Sequence, residues 1–329
     1  MHFYQIKENF HLQKTKLLLF ILICLYLLLY IYLFKKDGVC ICTIGKKENL
    51  YAREYVDYYK NMGVKKIFIY DNNEKNDEKF EEVLRDDIEK KFVEIIDIRG
   101  IIAPQIKAME DCRRHNYRKF DWLIFYDMDE FIFLRNFSNI NYFLNQKIFD
   151  KCQRIQLNWY FHTDNNLLYY DNRSLAERFP EKEKKWKDIK IGGTEGIKSI
   201  LKGNINIKIY DTHILNSKLI SCDGFGKIKE IQNIVTNESD HYYNYIDHYY
   251  TKSTEEFINK LMRGDVIHLN LTWINLQKID VYFSLSDITI EKINYIENKT
   301  KLDLSKFRHI LKNNDLFRNK TNTTKQFKK

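Results

Sequence analysis

The longest apolar stretch of the chain, LLLFILICLYLLLYIYLF at 17–34, carries no charge, glycine or proline and is bracketed by Lys14 and Lys16 before it and Lys35 and Lys36 after it. As a helix it covers about 27 Å, enough for a hydrocarbon layer of about 30 Å once the flanking lysines snorkel. It exceeds the apolar core of a cleaved signal peptide, and no small-residue cleavage pattern follows it. An uncleaved signal anchor contacting the lipid bilayer through 17–34 is expected, with 1–16 as a short cytosolic segment.

Past the anchor the pattern alternates between period 2 and period 3.6. VCICTI (39–44) is strand-like, and Tyr51, Tyr55, Tyr58, Tyr59 and Met62 then share one helical face. KKIFIY (65–70) and FVEIID (92–97) read as strands around an acidic helix at 77–86, and a helix at 105–117 leads into the apolar strand WLIFY (122–126). Such alternation predicts an α/β fold: an open, mostly parallel sheet flanked by helices, whose ligands bind beyond the carboxyl ends of the strands. Farther on, 154–161 and 205–215 look like strands and 254–262 and 274–298 like helices, without an internal repeat.

Composition narrows the classes. With 329 residues, 44% hydrophobic and 30% charged, the chain has ample material for one large domain, taken as 35–300, followed by a basic tail at 301–329. The net charge of +9 is spread along the sequence and does not make a nucleic-acid binder. Cys24, Cys40, Cys42, Cys112, Cys152 and Cys222 are too sparse for a disulfide-built scaffold, and no CxxC suggests structural zinc. Cys40 and Cys42 read as small core residues on one strand face. No G-x-G-x-x-G follows the first strand and no P-loop occurs, which argues against a dinucleotide oxidoreductase or a P-loop NTPase. N-x-S/T sites at Asn136, Asn172, Asn237, Asn270, Asn298, Asn319 and Asn322 are glycan acceptors only in a eukaryotic secretory lumen.

Candidate chemistry gathers where the apolar strands end. Asp127 and Asp129 follow WLIFY directly, and strand period 2 would send both carboxylates to one side. Two hard oxygen ligands suit Mg2+ or Mn2+, which can bridge the phosphates of a nucleotide-diphosphate leaving group. Asp71 and Asn72, closing KKIFIY, suit a ribose or base contact, or simply an Asx turn.

These residues carry a resemblance. KENLYAREYVDYYKNMGVKKIFIYDNN, PQIKAMEDC, DWLIFYDMDEFI, IKSI and HYYTKSTEEFINKLMRGD, in that order over roughly 39–265, are similar to the motifs of family 92 glycosyltransferases and their family 2-like relatives. The resemblance implies a GT-A fold, a D-x-D-held divalent metal, usually Mn2+, and inverting transfer, often of galactose, onto glycans by type II Golgi membrane proteins. It implies Asp127 and Asp129 as metal ligands, Asp71 and Asn72 at the nucleoside, Gln105 near the nucleotide, Lys198 near the diphosphate, and Lys252 in a similar or structural role. A third metal ligand is expected from His213 or His248. The sequence departs from the family between 161 and 198: Trp159-Tyr160-Phe161-His162-Thr163 stands where a W-x-x-FG-type segment is expected, and Gly224-Phe225-Gly226 comes much later.

An inverting reaction also needs a base for the acceptor hydroxyl, and Asp164 and Asp223 are its candidates, although loop aspartates more often close turns. The expectation is therefore a membrane-anchored, metal-dependent enzyme moving a hexose from a nucleotide-diphosphate sugar to a carbohydrate acceptor. It would reside in the Golgi or secretory pathway of a eukaryote, or in a bacterial inner membrane. The alternatives are a catalytically silent glycan- or nucleotide-binding protein of the same fold, and a nucleotidyltransferase, disfavoured because no Gly-rich phosphate loop follows the first strand.

Overall fold

A computed structural model describes residues 16, 18–26, 38–102, 104–183, 196–213, 215–229, 243–264 and 271–313, with the backbone alone for 229 and 271–275. Half of the proposed anchor, 17 and 27–34, lies outside the described residues; of it, 18–26 is helical, with Leu18, Leu19, Phe20 and Leu22 exposed. Among the described residues no helix is long and apolar enough to cross a membrane.

The first half follows the expected alternation: β1 (Val39–Gly45), α1 (Asn49–Asn61), β2 (Lys66–Asp71), α2 (Phe80–Glu89), β3 (Val93–Asp97), α3 (Gln105–Asn116) and β4 (Trp122–Ile124). Then come β5 (Glu130–Leu134), α4 (Ile140–Leu144), β6 (Arg154–Phe161), α5 (Leu175–Arg178), β7 (Ile197–Lys202), β8 (Ser221–Cys222), β9 (Ile228–Lys229) and β10 (Asn244–His248). Helices α6 (Thr254–Met262), α7 (Leu271–Leu285) and α8 (Ile290–Thr300) follow.

The sheet runs β3-β2-β1-β4-β7-β6-β10-β5, with β8 beside β6 and β9 beside β8. It is mixed: β3, β2, β1 and β4 are parallel, as are β6 and β10, but β7 is antiparallel to both β4 and β6, and β5 is antiparallel to β10. The cause lies after β4, where no helix carries the chain back across the sheet. The short link 125–129 stays at the carboxyl edge, so β5 starts there and must run the other way. As β6 and β10 are parallel, the carboxyl ends of β1, β2, β4, β6 and β10 share one edge with the starts of β5 and β7.

Alternation along β1 builds a core on each face. Val39 and Ile41 join the cluster that receives Tyr55 and Tyr59 of α1, while Cys40 and Cys42 join the cluster with Ala108, Met109 and Cys112 of α3. The expectation for Cys42 is corrected here: it is disulfide-bonded to Cys112, tying β1 to α3, and Cys152–Cys222 ties the start of β6 to β8. Cys40 is buried and free, as a core residue should be.

Three other expectations change. The segment 205–215 is not a strand; Ile209 donates its N–H to Glu110 of α3, and its alternating isoleucines pack onto the α3 face of the sheet instead of entering the ladder. The helix expected over 274–298 is two helices, because Thr289 caps a new N-terminus by accepting from the Lys292 N–H. The basic tail begins with structure: 305–313 is helical, and Leu304 and Phe307 are buried against Ile279, Tyr282, Phe283, Ile293 and Ile296.

Candidate active site at the carboxyl edge

Strand β4 ends at Ile124, and the apolar run continues through buried Phe125 and Tyr126 before reaching Asp127. Strand period does not orient the two aspartates, because 127–130 is a turn closed by the Glu130 N–H donating to the Asp127 carbonyl. The turn sends them to different partners. Asp127 Oδ2 accepts from Lys198 Nζ at 2.7 Å and Oδ1 from Gln105 Nε2 at 3.2 Å. Asp129 Oδ2 accepts from Lys260 Nζ at 2.6 Å, and its Oδ1 lies 3.6 Å from His248 Nε2.

Glu130, the first residue of β5, is fully buried and faces His248 in the β5–β10 register. Its Oε2 accepts the Asp127 N–H at 3.1 Å, and its Oε1 stands 3.4 Å from Lys198 Nζ without a hydrogen bond. Ligand atoms of Asp129, Glu130 and His248 lie within 4.8 Å of one another, a set of two carboxylates and an imidazole. His248 packs against Trp159 at 4.5 Å between ring centroids, and its Nδ1 is buried without a partner.

Burial and charge act in opposite directions on these groups. Burial would raise the Asp129 carboxyl, but Lys260, His248 and Lys252 hold it far below the carboxylate range. Burial pushes the Glu130 carboxyl well above its usual value, with Lys198 only partly compensating. Burial would lower Lys198, yet Asp127 and Glu130 raise it. His248 is pushed down to about 3 by burial, so its approach to Asp129 is that of a neutral ring to a carboxylate. His213 is pushed down to about 4 by burial and Lys198.

The structure thus gathers Asp127, Asp129, Gln105, Lys198 and His248. His213 also packs against Trp159, at 5.1 Å between ring centroids, and its Nδ1 is taken by the Ile197 carbonyl at 3.1 Å. Lys252 is buried in left-handed backbone, its Nζ 3.6 Å from the Tyr51 ring centroid and 3.7 Å from Glu48, and burial lowers it. Asp71 has both oxygens engaged, Oδ1 by the Asn73 N–H and Oδ2 by Arg99, and Asn72 donates to the Ile101 carbonyl. Those bonds fix the end of β2, the Asx-turn alternative.

Neither base candidate is positioned by such a cluster. Asp164 is buried and binds Lys292 at 2.6 Å, the Tyr282 hydroxyl at 2.7 Å and the Asn166 N–H at 3.0 Å. Asp223 Oδ1 accepts the N–H groups of Phe225 and Lys227, both at 3.0 Å, and closes the β8–β9 turn.

Glu130, Lys260, Glu48 and Arg263 were not singled out from the sequence. Glu130 had a visible signal, a third carboxylate opening an apolar strand. Lys260 had a weaker one: α6 opens with a capping box, Ser253 and Glu256, and Glu256 and Lys260 are one turn apart. Arg263 binds Glu48 at 2.5 Å and the Lys47 carbonyl at 3.0 Å, so the end of α6 also holds the β1–α1 loop.

Comparison with known proteins gives a consistent assignment. Residues 35–205 match the model for glycosyltransferase family 92. A glycosyltransferase family 92 protein of Ricinus communis is 32% identical over 110 residues, 32% of this chain and 19% of that protein. One from Oryza sativa subsp. japonica is 29% identical over 102 residues, 30% of this chain and 16% of that protein. The matched stretch is thus under a fifth of those relatives' length. The crystal structure of S. aureus TarS aligns with 82% of this chain and 46% of its own, at 9% identity and a TM-score of 0.33, too low to carry an argument.

Proposed function

The chain belongs to glycosyltransferase family 92, and on that premise we propose that it transfers a sugar from a nucleotide diphosphate to a carbohydrate acceptor at the carboxyl edge of the sheet. The observation carrying the reading is the convergence of Asp127, Asp129, Glu130, His248, Lys198 and Lys260 at that edge. Acids with paired cations suit a diphosphate whose charge grows as the sugar departs. The β3-β2-β1-β4 half of the sheet supports a GT-A-type donor domain.

The donor set fits a divalent metal. Asp129, Glu130 and His248 offer oxygen and imidazole ligands suited to Mn2+, with Mg2+ as the oxygen-preferring alternative, and Glu130 Oε1 and His248 Nδ1 are buried without hydrogen-bond partners. Asp127, tethered by Lys198 and Gln105, completes the acidic group, and His248 is preferred to His213 because it alone of the two reaches Asp129. Bound there, the metal would neutralise charge on the diphosphate. Lys198 holds Asp127 in place, and Gln105 keeps Oε1 available beside it. A hexose donor, galactose included, and inversion rest on the motif resemblance.

The anchor at 17–34 and a secretory, type II placement form part of the same proposal. They are supported by the exposed apolar helix at 18–26, by two disulfides suited to an oxidising compartment, and by exposed N-x-S/T asparagines at Asn136, Asn172 and Asn298. The test is transfer by the full chain from a panel of UDP- and GDP-sugars with and without Mn2+. Asp129→Asn is expected to lower metal-supported transfer at least about 100-fold, the scale of losing a preorganised electrostatic group. Transfer unchanged in that variant and in excess chelator would remove the metal from the reaction.

A further inference from the structure

We propose that Lys260 is an internal counter-cation that competes with divalent metal for Asp129 and so sets the metal affinity of the site. The inference rests on the metal reading above and gives Lys260, so far only one of the paired cations of the site, a specific role. Asp129 is buried, its side chain 5% exposed, and the ammonium of Lys260 is its nearest charge at 2.6 Å. A cation ligated by the same carboxylate would lie within a few ångströms of that ammonium, where like charges repel strongly even at the effective dielectric of a protein surface. Metal and lysine therefore oppose one another at this carboxylate, each weakening the other's hold on it.

The second lysine of the site is not equivalent. Lys198 has 2% of its side chain exposed and is wedged between Asp127 at 2.7 Å and Glu130 at 3.4 Å, so it has nowhere to go. Lys260 is 30% exposed, rises from the last turn of α6, and lies 4.8 Å from the centroid of the Tyr250 ring. Its ammonium already lies over that ring while it binds Asp129, so it can swing toward water along the ring face and keep its charge solvated or in the cation–π contact. Lys198 is a fixed part of the site; Lys260 is the displaceable one.

The experiment is Mn2+ titration of the full chain, reading free Mn2+ by electron paramagnetic resonance, for the wild type, Lys260→Met, Lys260→Gln and Asp129→Asn. Near-ultraviolet circular dichroism checks that each is folded. Lys260→Gln, which keeps an N–H donor for Asp129, serves if the methionine variant does not fold. The expected result is a dissociation constant about tenfold lower or more in the lysine variants, and loss of binding in Asp129→Asn. Metal binding by the lysine variants but not the wild type also supports the inference, while removing metal from the native reaction. Unchanged or weaker binding in both lysine variants, with Asp129→Asn still abolishing it, overturns the inference and leaves the metal reading standing. Binding that survives Asp129→Asn, or that none of the proteins shows, overturns both.

Discussion

Replacing Asp164 distinguishes a structural carboxylate from a catalytic one. Its side chain is 2% exposed and receives Lys292 at 2.6 Å. The Tyr282 hydroxyl and the Asn166 N–H also donate to it, at 2.7 and 3.0 Å. In Asp164→Ala, Lys292 keeps Asn166 Oδ1 at 2.9 Å and the Asp287 carbonyl at 3.0 Å, and Tyr282 keeps Thr254 at 2.7 Å. The ammonium nevertheless loses its counter-charge while only 3% exposed. Breaking one side of a buried pair costs about 3–5 kcal/mol, and the surviving hydrogen bonds place this case near the lower end. At about 2–4 °C per kcal/mol, Tm should fall by about 6–12 °C. Removing both charges in Asp164→Asn with Lys292→Met should recover part of that loss, because no unpaired ion is left. Thermal unfolding measures the first effect, and transfer per folded molecule, assayed well below the transition, should stay within about threefold of wild type. A general base contributes about 10²–10⁴ in rate. A loss on that scale with Tm unchanged would refute the structural role and restore Asp164 as the base.

The Cys152–Cys222 bridge closes a separation of 70 residues, for which chain-entropy reasoning gives about 4 kcal/mol. The paired Cys152→Ser and Cys222→Ser variant should therefore melt at least about 8 °C lower under oxidising conditions, and equal melting would show that the bridge contributes nothing. Glu256 supplies a pH test: burial would raise its carboxyl, but Arg178, Ser253 and Tyr51 hold it below the usual value. Its stabilisation is present above the unfolded pKa of about 4.3 and is lost as pH falls through the lower folded value. Glu256→Gln should thus flatten the acid limb of Tm against pH below about 4.3, and a limb as steep as wild type would count against it.

The parallel half of the fold was legible because its signal is local. The tyrosine face of α1 and the acidic helix α2 each bury a side that periodicity shows directly, and KKIFIY and WLIFY are short apolar runs buried on both faces. The second half was not, since β7, β8 and β10 take their direction from distant partners. At 205–215 an alternating pattern was satisfied by packing on α3 without a ladder, where period 2 carries no information about pairing. The site divides similarly. Asp127, Asp129, Lys198 and Lys260 all sit in the quoted motifs, but the pairing of Lys198 with Asp127 and of Lys260 with Asp129, 131 positions away, is a contact only the tertiary fold creates.

The position of β5 bears on the shape of the whole sheet. It lies four places from β4 in the ladder, about 19 Å along a flat sheet at about 4.8 Å per place. The link between them is only 125–129, and it doubles back where the Glu130 N–H meets the Asp127 carbonyl. A connection that short and turned back on itself falls short of that span, so the ladder must curl until its far rim returns over α1. There Phe131 packs edge-on against Tyr55 and Tyr58, and the hydroxyls of Tyr58 and Tyr59 donate to the carbonyls of Ile132 and Glu130. The segment holding the acidic residues is thus also the drawstring of the sheet. A residue inserted into 125–129 would slacken the curvature, and a change that pried β5 from α1 would spread the carboxylates without replacing any of them.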